Sequence, residues 1–399
     1  MSWLVYRLTN SPFLLGVVAF SSQIPTFILS PLAGVIADRV DRRRALVLTQ
    51  TLSMFQALIL AVLTLTGAIH VWHLIVLGAV LGCINSFDIP IRQAFIVEMV
   101  EKRENLGNAI ALNSLMFNAA RLIGPSIAGF VIAVTGEGIC FLINAVSFLA
   151  VIWSLFAMDA RERALPSGPA DVPRQLKEGF DYTFGFAPIR YILMLLSAIS
   201  LMGASYIVLM PVFARDVLKG GPGTLGLLMA SAGVGAIAAT IYLASRKSVV
   251  GLGKMIPICA SIFAGGLIAF AFSRAQWLSC ALLMISGFGF MTHMACSNTI
   301  LQTIVEEDKR GRVMSFYTMS FMGTAPFGCL LAGWLASRIG ATNTLILGGA
   351  SCIAASAAFA TKLPLIRKLI HPIYRKIGII PEVASGIGAA TRLSVPPED

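Results

Sequence analysis

Apolar residues run along this chain in long unbroken blocks separated by short polar interruptions. The blocks lie at about 13–37, 45–67, 71–97, 107–134, 138–158, 189–213, 223–245, 253–273, 276–300, 313–337 and 341–361. Each is long enough to cross ~30 Å of hydrocarbon as an α-helix. They lack the ten-residue alternating segments of a transmembrane barrel. The pattern therefore predicts an all-α polytopic membrane protein with eleven complete spans. Glycines recur inside the blocks, for example Gly233, Gly235, Gly265 and Gly266, where small residues let helices approach closely in lipid. Ahead of the first block, Met1 to Tyr6 is itself apolar and Arg7 to Pro12 is a loop. Six residues rise only ~9 Å, so this stretch reads as the last turns of a helix whose start is absent.

Composition excludes the alternatives. Of 399 residues, 57% are hydrophobic and 12% charged, against roughly 45–50% apolar and 25% charged in a soluble domain. Intrinsic disorder needs the opposite balance. Seven cysteines, Cys83, Cys140, Cys259, Cys280, Cys296, Cys329 and Cys352, all fall in apolar blocks. They read as small buried hydrophobes rather than disulfides or metal ligands. The apolar start lacks the basic region that opens a signal peptide.

The net charge of +11 is a topology signal. Loops alternate across the membrane. Counting Arg92 and Arg190 with the loops they border, 24 of the 30 Lys and Arg residues belong to the set 38–44, 98–106, 159–188, 246–254, 301–312 and 362–399. The opposite set holds Arg7, Arg215, Lys219, Arg274 and Arg338, and Arg121 is left inside a span. Excess Lys and Arg marks the cytoplasmic side. The expected protein is thus multi-pass in the cell (inner) membrane with a cytoplasmic C-terminus. A nucleic-acid partner is excluded, because the basic residues form no continuous face with aromatic platforms.

The longest polar stretch before the tail divides the chain. The reading gives an N-terminal bundle at 1–158 with its first helix truncated, a cytoplasmic linker at 159–188, a C-terminal six-helix bundle at 189–361, and a cytoplasmic tail at 362–399. The tail either lies on the anionic inner leaflet through its basic residues or is a disordered end. Each half repeats one arrangement. Val100-Glu101-Lys102-Arg103 precedes a span with Gly124-Pro125, and Val305-Glu306-Glu307-Asp308-Lys309-Arg310 precedes a span with Pro326. Such internal repetition fits a secondary transporter.

The loop after the first block reads Gly34-Val-Ile-Ala-Asp38-Arg39-Val-Asp41-Arg42-Arg43-Arg44. It resembles the signature loop of the major facilitator superfamily, with Asp41 where that family usually has glycine. Gly124-Pro125-Ser-Ile-Ala-Gly129 resembles the fifth-helix motif of the superfamily's exporters. Phe87 to Phe95 and Arg310 to Ser315 are similar to the branch containing enterobactin and macrolide exporters. The resemblance covers essentially the whole chain. It implies two six-helix bundles, a central cavity, alternating access, and a chain lacking most of helix 1.

Four groups of residues are candidates for function. Gly34, Asp38, Arg39, Arg42 and Arg43 form either a cytoplasmic gate, in which the resemblance implies that the aspartate faces the N-terminus of helix 11, or a topogenic anchor. Asp88 is the one carboxylate inside a span, with Arg92 and Arg121 as its basic companions. Asp88 and Arg121 lie ~18–22 Å from the turn joining their spans, so a pair is geometrically allowed. An unpaired intramembrane charge costs at least ~3 kcal/mol. The pair is either a proton-coupling site or a fixed structural bridge. Gly124, Pro125 and Gly129 set either a functional bend or an ordinary kink, with Gly124 and Gly129 allowing close packing. Gln23, Asn113, Asn118, Ser297 and Asn298 either line a cavity or bridge helices.

Other signals carry nothing. Gly221-Pro-Gly223-Thr-Leu-Gly226 matches a dinucleotide fingerprint but follows no strand. His70 and His73 are too few for a metal, and no phosphate-binding loop implies ATP. No cofactor is expected. An integral-membrane enzyme would need a cluster of titratable groups at one depth. The leading expectation is a monomeric secondary transporter, which by its resemblance exports an amphipathic drug-like or siderophore-like molecule in exchange for protons. The competing one is a transport-incompetent, truncated membrane protein acting as an interaction partner.

Overall fold

The computed structural model describes residues 1–37, 40–99, 106–158, 180–246 and 249–376. Asp38 and Arg39 of the signature loop therefore lie outside the described residues. The described chain is a succession of helices. In the first half these are α1 (Ser2–Thr9), α2 (Pro12–Ala37), α3 (Arg42–Leu65), α4 (Val71–Met99), α5 (Leu106–Thr135) and α6 (Glu137–Ala157). In the second they are α7 (Ala187–Val217), α8 (Pro222–Ala244), α9 (Leu252–Phe272), α10 (Gln276–Ile304), α11 (Glu307–Thr318 continuing through Ala325–Ile339) and α12 (Ala341–Lys376). No strand occurs among the described residues. Ten of these helices are long and apolar enough to cross a bilayer, and α5 adds a shorter apolar stretch at Ile123–Thr135. The last helix continues to Lys376, well past the expected end of its span at 361.

The predicted blocks become helices because a bilayer leaves backbone N–H and C=O groups no other partner. Large apolar side chains point outward. Trp153 and Trp277 are each more than 70% exposed, which suits lipid rather than water. The polar interruptions supply the turns. Asp41 is the N-cap of α3, and its carboxylate accepts from the Arg44 backbone N–H at 3.0 Å. That gives the residue standing where the superfamily usually has glycine a local task. His70 and His73 close the turn into α4, the His70 N–H donating to Nδ1 of His73 at 3.0 Å.

Each half packs largely within itself. In the first, α2 lies on α4, and α3 on α4 and α6. In the second, α10 lies on α8 and α9, and α12 on α9 and α7. Glycine sets the closest approaches: a Cβ at Gly235 would stand 1.9 Å from the carbonyl oxygen of Met284. Gly265 faces open space instead. Cys259, Cys296, Cys329 and Cys352 are buried, whereas Cys83 is exposed, and all seven cysteines are free thiols.

Two spans of the second half are not regular α-helices. α7 contains π-helical segments at Ile199–Ala204 and Phe213–Val217, and α11 contains one at Met319–Gly323. In α11, Pro326 stands just beyond the segment, after Thr324 and Ala325. It has no N–H to offer the carbonyl one turn earlier and its ring crowds that turn, so the preceding turn widens. The two inner π segments are joined: the Ser200 hydroxyl donates to the Phe321 carbonyl at 2.6 Å.

Candidate functional site

The halves enclose a cavity of about 600 Å³. α1 and α2 supply one wall through Val5, Val18, Ala19, Ser22 and Gln23, and Pro125 adds α5. The opposite wall comes from α7, α8, α10 and α11. Its π segments border the space directly, placing Ser205 and Tyr206 after the first and Phe321 and Met322 within the third. Met210, Met229, Met291 and Phe290 complete an apolar, polarisable lining. Among the described lining residues none is Asp, Glu, Lys or Arg.

The cavity is pinched at the end of the bundle that carries α1. Gly16 of α2 meets Gly333 of α11 so closely that a Cβ at Gly333 would stand 2.7 Å from the Pro12 carbonyl oxygen and 2.9 Å from the Gly16 Cα. Symmetrically, a Cβ at Gly129 of α5 would stand 2.7 Å from the Pro222 carbonyl oxygen and 3.0 Å from the Gly226 Cα of α8. Further along α2, Phe20 and Phe27 meet Phe327 edge to face at 5.8 and 6.3 Å. Polar contacts add a latch. The Tyr6 hydroxyl donates to the Asp216 carboxylate, and Arg215 donates to Asn10 Oδ1 at 2.7 Å. Arg7 pairs with the buried Glu137 at 2.9 Å, fixing α1 to α6.

Asp88 sits away from the cavity wall, in the first half. It is 5% exposed and accepts from Thr49 Oγ1 at 2.8 Å, Gln50 Nε2 at 2.6 Å and the Arg92 guanidinium at 2.5 and 3.1 Å. A buried carboxylate needs this many donors, because desolvation costs far more than any single bond returns. The described partner of Asp88 is thus Arg92, one turn away on its own helix. The side chain of Arg121 on α5 lies outside the described residues.

In the signature loop, Arg42 donates to the Ala94 carbonyl at 3.2 Å. Arg43 donates to the Leu155 and Phe156 carbonyls, both at 2.7 Å. Arg43 thus sits on the last carbonyls of α6, which otherwise lack partners within the helix. These two arginines tie the start of α3 to the ends of α4 and α6. Gly34 belongs to the last turns of α2.

The remaining candidates separate. Gln23 is on the cavity wall, where Nε2 donates to the Ala19 carbonyl at 3.3 Å and contacts Cys329 Sγ at 3.6 Å. Asn113 is exposed and absent from the wall. Asn298 is off the wall as well and accepts from Gln302. The side chain of Asn118 lies outside the described residues. Ser297 is fully buried inside the second half, not on the wall. Pro125 lies within a continuous α5 and borders the cavity, and Gly129 makes the tight crossing described above. Gly124 does not share that role: nothing lies within 4 Å of its Cβ position, so the close packing expected of it is absent.

The family model of transmembrane secretion effectors, a group within the major facilitator superfamily, matches residues 1–371. The chain belongs to the major facilitator superfamily. It is 27% identical over 360 residues to the staphyloferrin A transporter of Staphylococcus aureus, covering 90% of each chain. It is 26% identical over 382 residues to the multidrug efflux pump Tap of Mycobacterium tuberculosis, covering 92% of this chain and 89% of that one. Its fold is similar to a solved structure of the nucleoside transporter NupG, with a TM-score of 0.69 at 13% identity, covering 90% of this chain and 93% of that one. The xylose transporter XylE of E. coli, solved in an inward open conformation, matches with a TM-score of 0.67 at 16% identity, covering 87% and 85%. This member of the superfamily is a multi-pass membrane transporter of small molecules by a secondary mechanism, and not an enzyme.

Several residues of this transporter escape a reading of the sequence. Tyr206 and the cavity methionines look like any other apolar span residues until the helix face is known. His293, fully buried on α10, makes one contact, Nδ1 to the Ile256 carbonyl at 3.3 Å. Its Nε2 and the Ser297 hydroxyl one turn on lack partners among the described residues. An imidazole inside an apolar block was a legible signal for a buried polar site.

Proposed function

We propose that this transporter is a proton-coupled exporter of amphipathic small molecules, working as a monomer by alternating access in the cell membrane. The observation that carries this reading is the cavity of about 600 Å³ between the halves, pinched at one end by two glycine crossings. A cavity of this size suits a drug-sized ligand. The excess of Lys and Arg in the loops remote from α1 supports a cytoplasmic position for that end and for the C-terminus. The pinched end is then external, and the state described is closed to the outside. The multidrug efflux name of the Mycobacterium tuberculosis relative supports an amphipathic cargo.

The chemistry around Asp88 is suited to coupling. The Thr49 hydroxyl has a single proton and two acceptors, Asp88 at 2.8 Å and the Leu46 carbonyl at 3.0 Å. When Asp88 is ionised, Thr49 donates to it. When Asp88 is protonated, it can donate to Thr49, which then donates to Leu46. Both states are hydrogen-bonded, so proton uptake does not leave a buried group unsatisfied. The gate assigned to the signature loop rests on family resemblance.

The experiment uses inside-out vesicles from an efflux-deficient bacterium expressing the full chain. An imposed pH gradient, acid inside, should drive uptake of a lipophilic dye, and collapsing the gradient should stop it. Uptake that ignores the gradient would reject proton coupling. No uptake of any amphipathic probe would reject export.

A further inference from the structure

The relatives' names leave the class of cargo open, and the cavity wall narrows it. We infer that this cavity selects electroneutral, predominantly apolar molecules, held by a few hydrogen bonds from Gln23 and Tyr206, and rejects carboxylate-bearing ones. The inference rests on the cavity being the transport site.

The first argument is charge. The described side chains of the wall include no Lys or Arg to pair with an anion, and the Met1 α-amino group beside them has Glu137 as a charged neighbour. Moving a carboxylate from water into such a space without a partner is strongly unfavourable, and a second or third carboxylate multiplies the cost. The second argument is surface. Met210, Met229, Met291 and Met322, with Phe290 and Phe321, offer thioethers and ring edges from the second half. Such side chains adapt to irregular apolar shapes and favour aromatic ligands. The third is the placement of the polar groups. Gln23 is on α2 in the first half and Tyr206 on α7 in the second, so one ligand can engage both halves. The described bonds of Gln23 use Nε2, which leaves its carboxamide oxygen as an acceptor. The Tyr206 ring packs edge to face on Phe263 at 6.0 Å, and its hydroxyl has no hydrogen-bond partner among the described residues. Gln23 and Tyr206, on facing halves of a largely apolar chamber, orient a ligand without demanding that it be charged.

The test uses the full-length protein in lipid nanodiscs with Nile red, a neutral dye bearing a carbonyl acceptor, and citrate as the tricarboxylate. Empty nanodiscs serve to subtract partitioning into lipid, and Trp277→Phe, on the lipid-facing surface, should leave binding unchanged. Nile red should bind saturably. Tyr206→Phe should weaken it roughly three- to tenfold, the scale of one hydrogen bond, and Gln23→Leu should do the same to 7-amino-4-methylcoumarin, a neutral dye whose N–H can donate to the Gln23 oxygen. Met291→Trp, which narrows the chamber, should weaken binding while the thermal unfolding profile is retained. Citrate in large excess should neither displace the dye nor accumulate in proteoliposomes. Displacement by citrate, or unchanged dye affinity in both polar variants, would overturn the inference. The transport arm separates it from the broader reading. Citrate carried across the membrane would sink the substrate class and leave the exporter standing. Nile red bound with the expected mutational pattern but never carried would do the reverse.

Discussion

The crossing of α2 and α11 offers the sharpest test of how this transporter closes. A Cβ at Gly333 would lie 2.7 Å from the Pro12 carbonyl oxygen and 2.9 Å from the Gly16 Cα. Carbon atoms sit comfortably at ~3.5–4.0 Å, so Gly333→Val requires the two helices to part by roughly 1 Å. Both close neighbours are backbone, which no rotamer change can move aside. Overpacking of this kind costs ~1–3 kcal/mol. The cost falls only on the state in which the helices touch, so the full amount shifts the equilibrium toward opening at the α1 end. At ~2 kcal/mol the open population rises by a factor of about 30. Cys329 reports the change, since it borders the cavity yet is only 6% exposed. Right-side-out vesicles are treated with a membrane-impermeant maleimide, and the modification rate of the Cys329 peptide is read by mass spectrometry. Gly333→Val should accelerate it roughly ten- to thirtyfold under rapid exchange between the states. Gly124→Val, at a position with nothing within 4 Å, should leave it unchanged. Folded Gly333→Val protein labelled at the wild-type rate would refute the claim that this crossing is the closure.

Three further outcomes follow from the same contacts. Tyr6→Phe and Asp216→Ala each remove one bond between the halves and should raise Cys329 labelling by less than tenfold, since a single hydrogen bond contributes ~0.5–1.5 kcal/mol. The double variant should add little to either single one. Asp88→Ala strips the shared acceptor from Thr49, Gln50 and Arg92 and should cost about 3 kcal/mol, read as a lower unfolding temperature in detergent. Asp88→Asn should keep more of that stability while abolishing the response to an imposed pH gradient. Arg43→Ala frees the Leu155 and Phe156 carbonyls and should loosen the α3–α6 contact, visible as faster hydrogen exchange at the end of α6 with dye binding intact.

The spans were legible because lipid imposes one rule on every residue: a long apolar block must satisfy its backbone internally, and a helix does so. Sequence alone poorly resolves which face of each helix meets which neighbour. These helices are apolar all round, so their pattern carries little orientation. Gln23 and Asn298 look equivalent as polar residues in apolar blocks, yet one borders the cavity and the other accepts from Gln302 outside it. Asp88 was legible as a buried carboxylate needing a partner. That Thr49 and Gln50 supply part of its shell was not, because neither residue type announces a charge. The pairing of Gly129 with Gly226 joins residues far apart in sequence, and only the packed bundle brings them together. The π segments depend on fit between spans, as the Ser200 bond to Phe321 illustrates.

Those π segments carry a consequence for recognition. A π turn holds one residue more than the α turn it replaces. Drawing that residue back into α geometry turns everything beyond it by about 100° and moves it along the axis by ~1.5 Å. Beyond the first segment of α7 stand Tyr206 and Met210, and beyond the segment of α11 stand Ala325 and Cys329, all on the cavity wall. A shift of one hydrogen-bond register would replace these side chains with their neighbours while both helices stay in place. The chamber thus owns a spare residue in each of two walls, and with it a means of changing its inner surface independently of opening or closing its ends.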